Sequence, residues 1–163
     1  MEWKEELQQH TKEAEKIVQG YLPEETGHQK LLIEASNYSV LVGGKRLRPM
    51  IMLESFKAFG GTGNVVEPFM AALEMIHSGS LVHDDLPCMD NDEYRRGNLT
   101  TWKKYGYDMA VLAGDKLFIY AFETAAKAFA LTDRADLVGK AISILANKAG
   151  IYGMIGGQSV DVE

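Results

Sequence analysis

Apolar residues recur along most of the chain at intervals of three and four positions, and strict alternation of apolar and polar residues is rare. This spacing places apolar side chains on one face of an α-helix. Only four prolines interrupt the pattern, and no repeat or low-complexity tract is present. We therefore predict an all-α protein, a helical bundle in which residues 1–163 form a single all-helical domain.

Glycine or proline follows most of the apolar segments and marks where each helix should end. Asp133 comes after a break at Leu131 and Thr132, so we expect it to be the N-cap of the last helix. The predicted helices cover about residues 3–21, 29–42, 47–59, 65–87 and 108–130, and a sixth runs from residue 133 onward.

Charge and composition exclude several classes of function. The chain has 17 basic and 23 acidic residues and a net charge of -6, whereas nucleic-acid binders need a basic surplus that faces phosphate. Its single cysteine, Cys88, cannot supply a disulfide or a thiolate cluster, which excludes zinc ribbons and iron–sulfur centres. The N-terminus lacks the pattern of a secretory signal, and no apolar stretch approaches about 18 residues, so we expect a cytoplasmic protein without a membrane span.

An acidic cluster follows the fourth predicted helix, with five acids in ten positions from Asp84 to Glu93. Carboxylates this close repel unless a cation binds, and Mg²⁺ takes one or two carboxylates together with waters and phosphate oxygens. On a regular helix Asp84 and Asp90 point about 120° apart, but Pro87 should end the helix and let Asp90 return toward Asp84. The alternative is a solvated acidic loop. The apolar residues before the cluster favour a site, because they place it at the end of a buried helix.

His77 lies seven positions before Asp84, two turns back and nearly on the same helix face. It contacts a ligand or is structural, as a lone histidine on a helix more often is. With Glu74 it also forms an ExxH pattern, which di-iron carboxylate proteins use in pairs. The second copy, residues 25–28, contains Gly27 and follows Pro23, which disfavours a helix and hence a di-iron site.

Three cations stand in four positions within residues 43–49, after two glycines and before an apolar helix. They are Lys45, Arg46 and Arg48. Cations, free amides at a helix start and glycines that admit an anion together suit a phosphate, and the alternative is a solvated basic turn. The segment does not match the GxxxxGK[ST] loop, which excludes a kinase or GTPase on spacing.

Two further short segments are ambiguous by themselves. Arg95 and Arg96 follow the acids directly and either bind a diphosphate in bidentate fashion or only neutralise neighbouring acids. Residues 156–161 are either a frayed terminus or an amide–carboxylate pair, Gln158 and Asp161, that lines a pocket.

Together these segments resemble the trans-isoprenyl diphosphate synthases, the polyprenyl synthetase family of helical prenyltransferases. Asp84, Asp85 and Asp90 match the family's first aspartate-rich motif in its DDxxxxD form. Residues 95–97 stand where the family has its arginine pair, and residues 43–49 match its GGKRxRP segment. Gln158 and Asp161 match its GQxxD element, and the similarity covers roughly residues 29–163 in the same order.

The resemblance implies the N-terminal portion of the isoprenoid synthase fold, Mg²⁺ as cofactor, and head-to-tail condensation of isopentenyl diphosphate with an allylic diphosphate. The product would be farnesyl or geranylgeranyl diphosphate. It also implies a role for each matching residue. Asp84 and Asp90 would be magnesium ligands, supported by Asp85, and isopentenyl diphosphate would be bound by Lys45, Arg48, His77 and Arg96. Arg95 would bind the allylic diphosphate, Gln158 and Asp161 would lie beside the allylic chain, and the catalytic residues would be Asp84, Asp85, Asp90 and Arg95.

The chain departs from the family pattern in two places. Asn98, Leu99 and Trp102 occupy the stretch where the family usually has Lys-Pro and then His. The family's second DDxxD motif is not found, since Asp133 and Asp136 have the nearest spacing but lack the doubled aspartate. We therefore expect an incomplete site that has the first aspartate-rich motif but not the second, with little or no turnover. We also expect self-association into a homo-oligomer, a dimer, through an exposed apolar face. The alternative is a non-catalytic diphosphate-binding or regulatory subunit.

In this family the residues one turn before the first aspartate set product length, and here they are Gly79 and Ser80. Both are small, which favours a product of geranylgeranyl size. If they form the floor beneath the growing chain, Gly79→Tyr should shorten the product.

Overall fold

The computed structural model describes residues 2–163, and it confirms the all-α prediction. Within this range the regular structure consists of α-helices, one 3₁₀ helix and one short hairpin. The elements are α1 (Glu2–Gly20), α2 (Lys30–Leu41), α3 (Leu47–Ala58), α4 (Glu67–Asp84), the hairpin strands β1 (Tyr94–Arg95) and β2 (Asn98–Leu99), α5 (Thr101–Tyr105), α6 (Tyr107–Ala126), the 3₁₀ helix Lys127–Leu131, α7 (Ala135–Ala149) and α8 (Met154–Asp161).

Helix α4 is the central element of the core. It packs along α6 and also contacts α1, α2 and α3, so most of its residues are buried. Met70, Met75 and Leu117 are among the largest fully buried side chains. A helix buried on several faces needs apolar residues nearly all round rather than along one stripe, and the sequence of α4 provides them. The core therefore fixes both the direction of α4 and the place where it ends.

Glycines set the close approach of α4 and α6. A Cβ on Gly79 would lie 3.2 Å from the Cβ of Leu117 and 3.3 Å from the carbonyl oxygen of Gly114. Gly114 in turn leaves room for the imidazole of His83, whose Nε2 lies 3.1 Å from the carbonyl oxygen of Val111. Gly79 is thus buried in the helix contact and does not form a floor beneath a bound chain. Gly79→Tyr should force the helices apart, so the product-length test from the sequence does not hold at this position.

The end of the chain differs from the sequence prediction in its helix boundaries. Helix α7 has Arg134 rather than Asp133 at its N-cap position, and the backbone N–H of Arg134 donates to the Thr132 hydroxyl at 3.2 Å. The N-cap prediction for Asp133 is therefore wrong. The sixth predicted helix is also interrupted between α7 and α8, where a Cβ on Gly153 would overlap the backbone of Lys148.

A hairpin and a short helix replace the loop expected after the acidic cluster. Strand β1 pairs with β2 in antiparallel register, with Tyr94 opposite Leu99 and Arg95 opposite Asn98. Arg96 and Gly97 connect the strands with φ values of 54° and 80°. Positive φ at both central residues is the signature of a type I′ turn, in which glycine at the second position is favoured. The turn sends the neighbouring arginines toward different partners.

No helix in the described part of the chain is long and apolar enough to cross a membrane.

Gly114→Ala should destabilise the protein by about 1–3 kcal/mol, because the added methyl would overlap the His83 ring within a packed core. Gly139→Ala is the matched control, since Gly139 lies inside α7 with open space around it. That control should gain about 0.5–1 kcal/mol from helix propensity. Urea unfolding followed by circular dichroism measures both values. A Gly114→Ala protein as stable as the unmodified chain would contradict the proposed packing.

Candidate functional site

The acidic cluster lies where α4 ends. The chain turns after Asp84 so that the backbone N–H of Asp90 donates to the carbonyl oxygen of Asp84 at 2.8 Å. Burial, and then the neighbouring carboxylate of Asp90, raise the pKa of Asp84. The helix therefore ends before Pro87, as the sequence predicts, and the turn returns Asp90 to the vicinity of Asp84.

Helix α8 reaches the same point from the other end of the chain. The Gln158 Nε2 donates to Oδ1 of Asp84 at 2.8 Å. The carboxylate of Asp161 is close enough to contribute to the raised pKa of Asp84. Residues 156–161 are therefore helical rather than frayed, and Gln158 contacts Asp84, while a pocket lined by Gln158 and Asp161 stays a prediction. The carboxylates of Asp84, Asp90 and Asp161 and the amide of Gln158 define what we call the acidic end of the site.

Asp85 points away from the acidic end. Its side chain is 5% exposed, and the Arg95 guanidinium donates to it from Nε at 2.8 Å and from Nη2 at 2.6 Å. Burial raises the pKa of Asp85 although Arg95 opposes that shift. Consecutive residues on a helix differ by about 100° in direction, which separates Asp85 from Asp84. The structure therefore shows an Asp85–Arg95 ion pair, and the diphosphate contact expected of Arg95 stays a prediction.

The cations at the start of α3 lie beside α4. Lys45 and Arg48 are exposed, and Nη1 of Arg48 is 3.4 Å from Nε2 of His77. Burial, and then the charge of Arg48, lower the pKa of His77. The imidazole is therefore held toward its neutral form beside an exposed guanidinium.

Arg96 joins the hairpin to the basic loop. Its Nη1 donates to the carbonyl oxygen of Gly43, and the guanidinium occupies the space that a Cβ on Gly44 would need. Burial, and then the charge of Arg46, lower the pKa of Arg96. The two basic segments seen in the sequence thus meet. We call Lys45, Arg48, His77 and Arg96 the basic end of the site.

Arg46 does not belong to the exposed cations of the loop. Its Nη1 donates to Oε1 of Glu74 at 2.7 Å, and its side chain is buried. This contact also contradicts the di-iron reading, because Glu74 is engaged by an arginine. In the part of the chain that the structure describes, no three His, Cys, Asp or Glu side chains gather as a ready metal site.

A cavity of about 430 Å³ lies beside the basic end. Arg48, His77 and Ser80 line it from α3 and α4, and Leu145 and Met154 close it from α7 and α8. An apolar cavity of about 530 Å³ shares Leu145 and Lys148 with it and reaches Phe69 near the start of α4. Together the two form a mainly apolar groove along α4, with Arg48 and His77 on the α3 and α4 side and Arg134 and Lys148 on the α7 side.

Sequence reasoning missed the residues that hold the acidic loop in place. The Trp102 Nε1 and the Thr100 hydroxyl both donate to the carbonyl oxygen of Asp92 at 2.8 Å. The Tyr38 hydroxyl donates to the carbonyl oxygen of Leu99 at 2.8 Å. Trp102, which departs from the family pattern, thus has a structural use through its side chain, whereas Leu99 contributes only its backbone carbonyl. Gly97, at the second position of the two-residue turn, was the sequence signal available for a hairpin.

Carboxylate oxygens are the ligands that a hard divalent cation prefers, so the donors at the acidic end fit Mg²⁺. Burial, and then the charge of Asp90, raise the pKa of Asp84, although the charge of Arg95 opposes this shift. Because no three-residue metal cluster occurs among residues 2–163, a bound ion would take further ligands from water or from an anion.

Comparison with known proteins assigns the chain to a family. The family model described as polyprenyl synthetase matches residues 29–163, and the chain belongs to this family. It is 49% identical over 129 residues to a chloroplastic geranylgeranyl pyrophosphate synthase of Catharanthus roseus, which covers 79% of this chain and 36% of that protein. It is 46% identical over 136 residues to a geranylgeranyl diphosphate synthase of Cyanophora paradoxa, with 83% and 45% of the two chains covered.

A solved structure confirms the fold. The apo crystal structure of an FPP/GFPP synthase from Zymomonas mobilis superposes with a TM-score of 0.89 at 34% identity, covering 98% of this chain and 57% of that one. The predicted resemblance and the helical isoprenoid synthase fold are therefore confirmed. The chain spans less than half the length of the two relatives named above.

The pKa of His77 in the free protein should lie below its ordinary value of 6.5, because burial and Arg48 disfavour the imidazolium. Folding then lowers proton affinity, so the contribution of His77 to stability is present above pH 6.5 and is lost as the pH falls through the lowered value. Arg48→Met should raise the pKa of His77. Lys57→Met, which removes an exposed cation from the far end of α3, should leave it unchanged. Titration of the ring protons by NMR measures it, and a pKa at or above 6.5 would contradict this picture.

Proposed function

We propose that this chain carries the isopentenyl diphosphate side of a prenyltransferase site, as part of a farnesyl or geranylgeranyl diphosphate synthase. The observation that carries the proposal is a basic cluster beside an apolar cavity, with an acidic cluster at the end of the same helix, α4. The basic end lies beside the cavity of about 430 Å³, and the acidic end lies where α4 stops. Membership of the polyprenyl synthetase family supports the same function.

The basic end would bind the diphosphate of isopentenyl diphosphate. Lys45 and Arg48 are exposed, and Arg96 is fixed over the diglycine. Guanidinium groups match phosphate oxygens with paired hydrogen bonds, and these charge-assisted bonds are the strong ones. His77, kept toward its neutral form, can donate a hydrogen bond without adding to the repulsion among the cations.

The acidic end would serve the allylic diphosphate. Asp84 and Asp90 would hold Mg²⁺, with Asp85 positioning Arg95 through their ion pair. When bound, the cation would neutralise charge on the departing diphosphate. Arg95 would contact that diphosphate, and Gln158 would keep Asp84 oriented through its 2.8 Å hydrogen bond. The apolar walls of the groove would exclude water from an electron-poor allylic carbon.

The residues present would bind substrate better than they turn it over. No DDxxD motif other than the one at the end of α4 occurs in the sequence, in any form. The allylic diphosphate would therefore lack the second set of carboxylates that the family uses. We propose low turnover by these 163 residues alone, and self-association through exposed apolar side chains such as Ile151, Ile155 and Val160. A homodimer and a cytoplasmic location stay predictions.

A non-catalytic diphosphate-binding or regulatory subunit is the second candidate. It is favoured by the lack of a second DDxxD motif among these 163 residues. Both candidates share the basic end and differ in whether condensation follows binding.

Arg48→Gln should weaken the binding of isopentenyl diphosphate at least about tenfold, since a charge-assisted hydrogen bond contributes about 1.5–3 kcal/mol. Lys57→Gln, which removes a cation from the other end of the same helix, should bind like the unmodified chain. Isothermal titration calorimetry measures both affinities. Equal affinities for the two variants, or no binding by the unmodified chain, would contradict the proposed basic end.

Turnover separates the two candidates. Isopentenyl and dimethylallyl diphosphate with Mg²⁺ should yield little product with this chain alone. Addition of a separately expressed C-terminal half from a family member should restore condensation if the chain is catalytic. Binding without restored condensation would favour the non-catalytic subunit, and robust condensation by the isolated chain would contradict the half-site proposal.

Ser80 is the position at which product length should be tested. It lines the cavity of about 430 Å³, whereas Gly79 is buried against α6. Ser80→Phe should weaken the binding of geranylgeranyl diphosphate roughly tenfold by filling the groove, and should weaken the binding of the shorter isopentenyl diphosphate less. Ser55→Phe, at an exposed position of α3, is the control. Competition binding measures the ratio of the affinities for geranylgeranyl and isopentenyl diphosphate. An unchanged preference for the longer chain in Ser80→Phe would refute a groove floor at Ser80.

A further inference from the structure

Arg46 differs from the other cations of the basic loop in its backbone conformation. It adopts φ 49° and ψ 28° at the N-cap of α3, in the left-handed region. A non-glycine residue is held there only when surrounding contacts determine it, and such positions cluster at functional sites. The conformation turns the Arg46 side chain inward, while Lys45 and Arg48 on either side stay exposed.

The buried guanidinium of Arg46 ties the loop to three helices. Nη1 donates to Oε1 of Glu74 on α4 at 2.7 Å. Nη2 donates to the carbonyl oxygen of Val40 on α2 at 2.5 Å, and lies 3.4 Å from Oε1 of Glu15 on α1. The side chains of Arg46 and Glu74 are only 1% and 4% exposed. A rearrangement of the loop would therefore have to break a desolvated ion pair.

The Arg46 contact reaches the basic end directly. Glu74 lies three residues before His77, so the two side chains occupy neighbouring turns of the same face of α4. On the opposite side of the loop the Arg96 guanidinium lies against Gly44, where a Cβ would come within 2.6 Å of its Nη1. The two glycines of the loop are thus held between Arg46 and Arg96. Without these contacts glycine would leave the loop many conformations.

A purely structural need does not explain a charge in this position. Replacing a buried ion pair by apolar residues of similar volume is often neutral or stabilising. What a buried pair provides, where it is retained, is one defined arrangement of the groups attached to it. Here the attached groups are Lys45 and Arg48.

We propose that Arg46 is a positioning residue for the diphosphate: held by Glu74, it fixes the loop so that Lys45 and Arg48 meet one ligand together. This inference rests on the proposed function, because it assumes that the basic end binds a diphosphate. Arg46 itself touches no ligand in this proposal and acts through the loop.

A double-mutant cycle with inorganic pyrophosphate tests the proposal. Arg46→Met should weaken pyrophosphate binding on the order of tenfold in the unmodified background and less than about twofold when Arg48→Gln is already present. The reason is that Arg46 can no longer improve the placement of the Arg48 guanidinium once Arg48 has been replaced. Arg46→Lys keeps the charge but cannot bridge Glu74 and Val40 at once, so it should give an intermediate loss. Arg46→Lys is also the variant to use if Arg46→Met does not fold. Calorimetry on variants that are confirmed to be folded gives each affinity.

The outcomes separate this inference from the proposed function. Failure of the unmodified chain to bind pyrophosphate, or equal binding by Arg48→Gln, overturns the diphosphate site and with it the role of Arg46. If Arg48→Gln weakens binding but the Arg46 variants bind normally, or lose the same factor in both backgrounds, Arg46 is structural only and the inference is wrong. A loss that depends on Arg48 supports it.

Discussion

Repulsion between like charges is the constraint on which the site depends. Adjacent acids and adjacent bases occur together at the end of α4, in the basic loop and at the hairpin turn. At the end of α4 and in the basic loop the fold turns one member inward to an opposite charge and leaves another at the site, and at the hairpin turn Arg95 pairs with Asp85 while Arg96 donates to the carbonyl oxygen of Gly43. Asp85 pairs with Arg95, and Arg46 pairs with Glu74, so that Asp84 and Arg48 are the charges that remain outward. The Arg46–Glu74 pair is almost fully buried, which makes it costly to break, whereas the Arg95 side chain of the other pair is 28% exposed.

The order of the helices follows from the same requirement. The central helix α4 carries Glu74, His77 and Asp84 along its length, so a single rigid element sets the spacing between the two charge clusters. The seven residues from His77 to Asp84 correspond to about 10 Å along a helix axis. Close packing on α6, made possible by Gly79 and Gly114, keeps this element in place. Chemistry at the end of α4 thus depends on packing in its middle.

Much of the fold was predictable because helical periodicity is a local signal. The first four helices were located to within a few residues, and the motifs at residues 43–49 and 84–90 indicated the site. Periodicity does not state which member of a charged doublet faces inward. The burial of Arg46 depends on a left-handed backbone that no propensity of arginine predicts, and the role of Gly79 depends on which helix lies opposite. Asp133 failed as an N-cap because Arg134 takes that position.

The central claim is that the acidic end of the site binds a divalent cation and the basic end binds a diphosphate. A crystal structure of the chain grown with Mn²⁺ and inorganic pyrophosphate tests this claim directly, because anomalous scattering locates the metal. We predict a Mn²⁺ peak at the carboxylates of Asp84 and Asp90, with pyrophosphate oxygens within about 3 Å of the Arg48 guanidinium. Pyrophosphate bound elsewhere, or a metal away from both aspartates, would contradict the account.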